Sequence, residues 1–93
     1  MNTEELLVQV KDCATFFYQN SEQEAYRLLN NLLPHINQTL QAIALSTSEY
    51  EEAVVMILRS FLEAYQEKDN LALADILEYE IVSVLEMESS GRV

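Results

Sequence analysis

One glycine, one proline, one cysteine, one histidine and no tryptophan occur in the 93 residues. So little glycine and proline excludes most turn-rich β architectures, which need those residues to reverse the chain. A single cysteine, Cys13, rules out an internal disulfide. It stands in phase with Leu6, Val10 and Phe17, where a free thiol serves as a small hydrophobe. One histidine, His35, leaves too few ligands for zinc, and it cannot supply the two Glu-x-x-His pairs of a di-iron bundle. With Gly91 as the sole glycine, no glycine-rich phosphate loop can be built. Cys13 and His35 as nucleophile and base have no supporting signature. Carboxylate pairs are always on offer among sixteen acidic residues, but no pocket pattern accompanies them. The expectation is a protein that is not an enzyme and holds no cofactor.

Basic residues are scarce as well. Five Lys and Arg against sixteen Asp and Glu give a net charge of −11 at pH 7. Such a field repels phosphate backbones and anionic lipid surfaces. Lys11, Arg27, Arg59, Lys68 and Arg92 are scattered, so no basic patch forms. Nucleic acid and membrane are therefore not expected partners, whereas a basic protein is electrostatically welcome. No apolar run is long enough to span a bilayer, and the opening MNTEELL lacks the charge order of a signal peptide. A cytoplasmic protein is expected.

What the chain does have is hydrophobic residues, 49 % of the total, recurring at helical spacing. A single helical-bundle domain over residues 1–93 follows. The first helix is expected from about Thr3 to Gln19, capped by Asn2 or Thr3, with Leu6, Val10, Cys13 and Phe17 on its inner face. A capping-box pattern, Ser21 with Glu24, opens the second, whose stripe of Ala25, Leu29, Leu32, Ile36, Leu40 and Ile43 reaches about Leu45. Pro34 interrupts that run and leaves the Asn30 carbonyl without its usual donor. At roughly 100° per residue Pro34 falls among Arg27, Asn30, Gln38 and Gln41 on the polar face. A helix kinked at Pro34, curving around the core, is expected, with a two-piece helix as the alternative. Ser46-Thr47-Ser48 marks the next break, and Ser48 with Glu51 repeats the capping box. Tyr50, Val54, Ile57, Phe61 and Ala64 line one side of the third helix.

The stretch KDNLALADILEYEI, residues 68–81, places Asp69 and Glu80 where a calcium loop has its first and twelfth positions. Leu71, Leu73 and Ala74 then occupy the third, fifth and sixth, where oxygen ligands and glycine belong, so the calcium reading fails. Asp69 or Asn70 instead caps a fourth helix from Leu71 to about Met87, ended by Ser89, Ser90 and Gly91. Its main stripe is Leu73, Ala74, Leu77, Ile81, Val84 and Leu85, widened by Ile76 and Met87. On a regular α-helix Glu80 projects between these groups. It either lies at a contact edge and reaches water, or faces a donor on another helix or another chain.

The segment with Lys68, Asp69, Leu73, Ala74, Asp75, Leu77, Glu78, Tyr79 and Glu80 resembles one in small uncharacterised helical proteins of Gram-positive bacteria. There a helix ends in K-D and the next carries L-A-D-x-L-E-Y-E. The resemblance covers about the last third of the chain and implies no activity. The overall design is also similar to flagellar export chaperones, small acidic all-α chains that mask a partner's helix. Secreted helical hairpins of the WxG type need a Trp-x-Gly turn that this chain lacks.

The expected fold is thus an all-α, up-down-up-down four-helix bundle, or a pair of helical hairpins that completes its core by homodimerisation. The apolar arc of helix four is wider than one neighbour covers, so Leu73, Ile76, Tyr79, Glu80, Val84 and Met87 form the expected interface. The partner is another protein or a second copy. The function expected is an interaction module or chaperone-like adaptor. The alternative is a regulatory bundle binding a small ligand between its helices, with Glu80 or the tyrosines as polar anchors.

Overall fold

A computed structural model describes residues 1–46 and 48–90, with the side chains of Ser89 and Ser90 outside the description. It is a bundle of four helical rods, with no strand among the described residues. Helix α1 spans Thr3–Tyr18, α2 Glu22–Ser46 and α3 Ser48–Glu67; the fourth rod is α4 Asn70–Asp75, a π-helical segment Ile76–Ile81, and α5 Val82–Ser90. The first rod packs on the second and fourth, and the third on the second and fourth. Short connections make consecutive rods antiparallel. The 25 residues of α2 span about 37 Å at ~1.5 Å per residue, which matches the longest dimension of the molecule, 37 Å.

Each start signal has a local cause. Asn2 accepts a hydrogen bond from the Glu5 N–H at 2.8 Å, and Glu4 and Glu5 sit against the positive end of α1. Asp69 does the same for α4, accepting from the Ala72 N–H at 3.2 Å. Its carboxylate is a helix cap, which answers the question posed by its calcium-loop spacing. The expected break at Ser46-Thr47-Ser48 centres on Thr47, and the expected end at Ser89-Ser90-Gly91 reaches Gly91; both residues lie outside the described residues.

The two hairpins, α1–α2 and α3–α4, close with the same turn. The N–H of Ser21 bonds the Phe16 carbonyl and that of Asn20 the Phe17 carbonyl; Asp69 to Ala64 and Lys68 to Tyr65 repeat the pair. These are Schellman motifs, whose C′ residue must be left-handed. With no glycine to place there, the chain uses Asn20 at φ 60° and Lys68 at φ 53°.

Helix α2 runs through Pro34 without a break, so the two-piece alternative is not adopted. The proline ring stands exposed on the outer side, as its position on the polar face requires.

The fourth rod departs from the sequence reading. Its buried residues Leu73, Ala74, Ile76 and Leu77 recur eight positions later as Ile81, Val82, Val84 and Leu85. Eight residues of α-helix overshoot two turns by about 80°, so a regular helix would turn the second set away from the first. The π-helical segment, with wider i→i+5 turns, absorbs the extra residue and keeps both sets on the core. Val82 donates to the Leu77 carbonyl in this pattern, and the Ser83 hydroxyl donates to the Tyr79 carbonyl.

The core is wholly apolar, with no buried polar or charged residue among those described. Leu6, Leu29, Leu32, Leu40, Leu73, Leu77, Ile81 and Leu85 are its largest fully enclosed side chains. Cys13 is enclosed too, its thiol directed at the Ala25 carbonyl at 3.4 Å. Burial pushes that thiol up to about 12, so it packs as a hydrophobe and is not ionised at neutral pH. No helix among the described residues is long and apolar enough to cross a membrane.

Candidate functional site: the groove between α2 and α3

Helix α3 has two apolar rows. The first, Val54, Ile57, Phe61 and Ala64, is buried. The second, Val55, Leu58, Leu62 and Tyr65, follows 3-4-3 spacing on the adjoining face, and the bundle covers only Leu58 and Tyr65, each in part. Leu62 is 56 % exposed and Val55 49 %. Across from this row α2 presents Asn30, Leu33, Pro34 and Asn37, with Ile81 of the π segment at the groove. Together they enclose about 600 Å³, open to solvent on one side. The trough continues past Leu58 to Gln41, Ala44, Leu45 and Glu51, adding about 500 Å³.

Charge is absent where it would be expected. No residue lining the first part of the groove is charged, although 23 % of the chain is. Depletion of charge around apolar and aromatic residues is the compositional mark of an interface centre. The polar groups present are neutral amides and one phenol, and they are positioned by their own contacts. Tyr65 donates to Asn30 Oδ1 at 2.9 Å, and its ring stacks on Phe61 at 6.3 Å between centroids. Pro34 supplies no N–H, so the Asn30 carbonyl lacks the donor that residue 34 ordinarily provides.

Tyrosines also tie the rods together at the turn end of the bundle. Tyr26 on α2 donates to Asn70 Oδ1 on α4 at 2.6 Å, and Tyr18 on α1 donates to Asp75 on α4. Tyr26 meets Phe17 edge-on at 5.1 Å and Tyr65 at 6.1 Å. The hydrogen bond to Asp75 raises the Tyr18 hydroxyl above the usual phenol range; burial chiefly raises Tyr26. These contacts join all four rods at this end of the groove.

The residues expected to form an interface on the fourth rod do not make one surface. Leu73, Ile76 and Val84 are buried in the chain's own core, Ile76 and Val84 at 6 % and 8 % exposure. The surplus arc expected there is covered because Ile76 packs inward with Leu73 and Leu77, and the π segment brings Ile81 and Val84 round to the same face. Tyr79 is 67 % exposed and Met87 49 %, while Glu80 is exposed. Glu80 lines a shallow acidic trough between α3 and α4, with Glu63, Glu67, Asp69 and Asp75, and not the apolar groove. No group of three or more His, Cys, Asp or Glu side chains among the described residues is arranged to hold a metal. His35 is half-buried at the edge of the α2 stripe. The second apolar row of α3 is legible in its 3-4-3 spacing, but spacing does not say which of the two rows stays open.

The pattern defining a family described as a domain of unknown function (DUF8042) matches residues 3–87. The chain belongs to this family. The match takes in all of α1, α2, α3, α4 and the π segment and most of α5, so the groove lies wholly within the DUF8042 domain. No curated protein and no solved structure matches the chain.

Proposed function

We propose that this DUF8042 protein is a non-enzymatic interaction module, a small chaperone-like adaptor of the bacterial cytoplasm, and that it holds its partner in the α2–α3 groove. One observation carries the reading: the first part of the trough is uncharged and largely apolar on a chain with a net charge of −11. Exposed apolar surface of this kind costs solubility unless something covers it. The resemblance of residues 68–80 to a segment in Gram-positive proteins supports the bacterial setting, and the acidity supports a protein partner over nucleic acid or membrane.

The volume also favours a second reading. About 600 Å³ lies within the range of small-molecule pockets, so a regulatory bundle binding an apolar ligand draws on the same walls. Tyr65 would then be its polar anchor.

A photo-crosslinking residue at position 62, with position 8 on α1 as control, separates the readings in cells that make the protein natively. The module predicts a discrete protein adduct at 62 that is missing at 8. An adduct of twice the chain mass identifies a second copy. No protein adduct, together with a small apolar molecule that copurifies, sinks the module and supports the ligand reading.

A further inference from the structure

Taking the groove as a protein-binding surface, as proposed above, we infer that its occupant is an amphipathic α-helix of a basic partner. Three observations carry this. The first is shape: Ser48 to Tyr65, the α3 wall, covers about 25 Å at ~1.5 Å per residue. A helix of about seventeen residues matches that length. Val55, Leu58, Leu62 and Tyr65 repeat at 3-4-3, the seam into which another helix inserts its own apolar row. An added β-strand has no sheet edge to join among the described residues.

The second is charge. The two helices that form the walls carry seven glutamates against two arginines. Glu51 lines the groove itself, and Glu52 stands beside it on the exposed side of α3. A helix with Lys or Arg beside its apolar row meets opposite charge on that rim, and the field of the whole chain steers it there. A second copy brings another −11 and sets the same acidic rim against its image, so it is the disfavoured occupant.

The third is hydrogen bonding. Asn30, whose backbone carbonyl receives no donor from Pro34, lines the α2 wall with Asn37 and Gln41, and the Gln41 amide already donates to Asn37 Oδ1 at 3.3 Å. The carbonyl accepts and does not donate, which again matches Lys or Arg side chains reaching over the groove.

Two synthetic helices of about eighteen residues test this. They share an apolar row at i, i+4, i+7 and i+11 and differ only in lysine or glutamate flanks. Fluorescence anisotropy at low salt measures each against the full chain, and against Leu62→Asp, Leu62→Lys and Val8→Asp. The lysine-flanked helix is expected to bind at least about tenfold tighter than its glutamate twin. Leu62→Asp should weaken it by about tenfold even though it adds negative charge, Leu62→Lys should weaken it further, and Val8→Asp should leave it unchanged. Equal binding of the two helices, or binding untouched by both Leu62 substitutions, overturns the inference. Binding of neither helix also overturns it, and light scattering then reads the surface itself. A dimer lost in Leu62→Asp keeps the groove as an interface between copies; a monomer removes the groove as a protein site altogether.

Discussion

Lys68 holds a left-handed conformation at φ 53°, which costs a residue with a Cβ about 1 kcal/mol relative to glycine. Lys68→Gly is therefore expected to raise the unfolding free energy by about that amount, read as a higher urea midpoint at unchanged slope. Asn20→Gly, at the equivalent turn, should gain less, because asparagine tolerates this region. Three side chains raised by folding, Cys13, Tyr18 and Tyr26, weaken the fold in alkali. Cys13 goes from an ordinary 9.0 to about 12 on folding, so between those values the unfolded chain loses the proton first. Stability is then full below about pH 9 and falls as pH rises toward 12. Tyr18, raised from 10.0 chiefly by its bond to Asp75, adds the same sign of dependence above pH 10. Urea titrations from pH 8 to 12 should show a flatter decline in Cys13→Ala than in the parent, whatever the offset at pH 8.

Among the elements, the π segment is the one whose geometry follows from counting. The core face of the fourth rod repeats after eight residues, and the wider turn is the device that lets it do so. Removing one exposed residue there, Tyr79, shortens the interval to seven. A regular α-helix spans seven with a drift of only about 20°. The deletion is expected to keep cooperative unfolding and full helicity by circular dichroism, with a loss under about 2 kcal/mol. Deleting Asn37, also exposed but in the middle of α2, rotates Leu40 and Ile43 by about 100° out of the core. That variant should lose its sharp transition. If the two deletions behave alike, the π segment is not a register device.

For the whole molecule, stability and binding belong to different surfaces. Leu77 is fully enclosed, and Leu77→Ala should cost about 2–5 kcal/mol through lost burial and the cavity left behind. Leu62, on the open groove, should change stability by less than about 0.5 kcal/mol when cut to alanine, while it weakens partner binding. Chemical denaturation and anisotropy on the same two variants read both effects. A Leu62→Ala variant as unstable as Leu77→Ala would place Leu62 in the core and close the groove.

Residue order alone determined the helical class, the four rods and nearly every inward-facing residue of α1, α2 and α3. The reason is that an α-helix rotates by a fixed angle per residue, so an apolar stripe reads out which side is buried. The caps were legible to within one residue, Asn2 or Thr3 and Asp69 or Asn70, because a short side chain and an unpaired N–H three residues on are local partners; the structure selects Asn2 and Asp69. Tertiary structure decided what depends on an angle that is not fixed or on a neighbour that is not local. The π turn altered the rotation within the fourth rod, which buried Val82 and left Glu80 and Met87 outside. The groove arose because α2 meets one apolar row of α3 with neutral amides and covers only the other. Spacing shows that two rows exist; only packing decides which of them is left facing water.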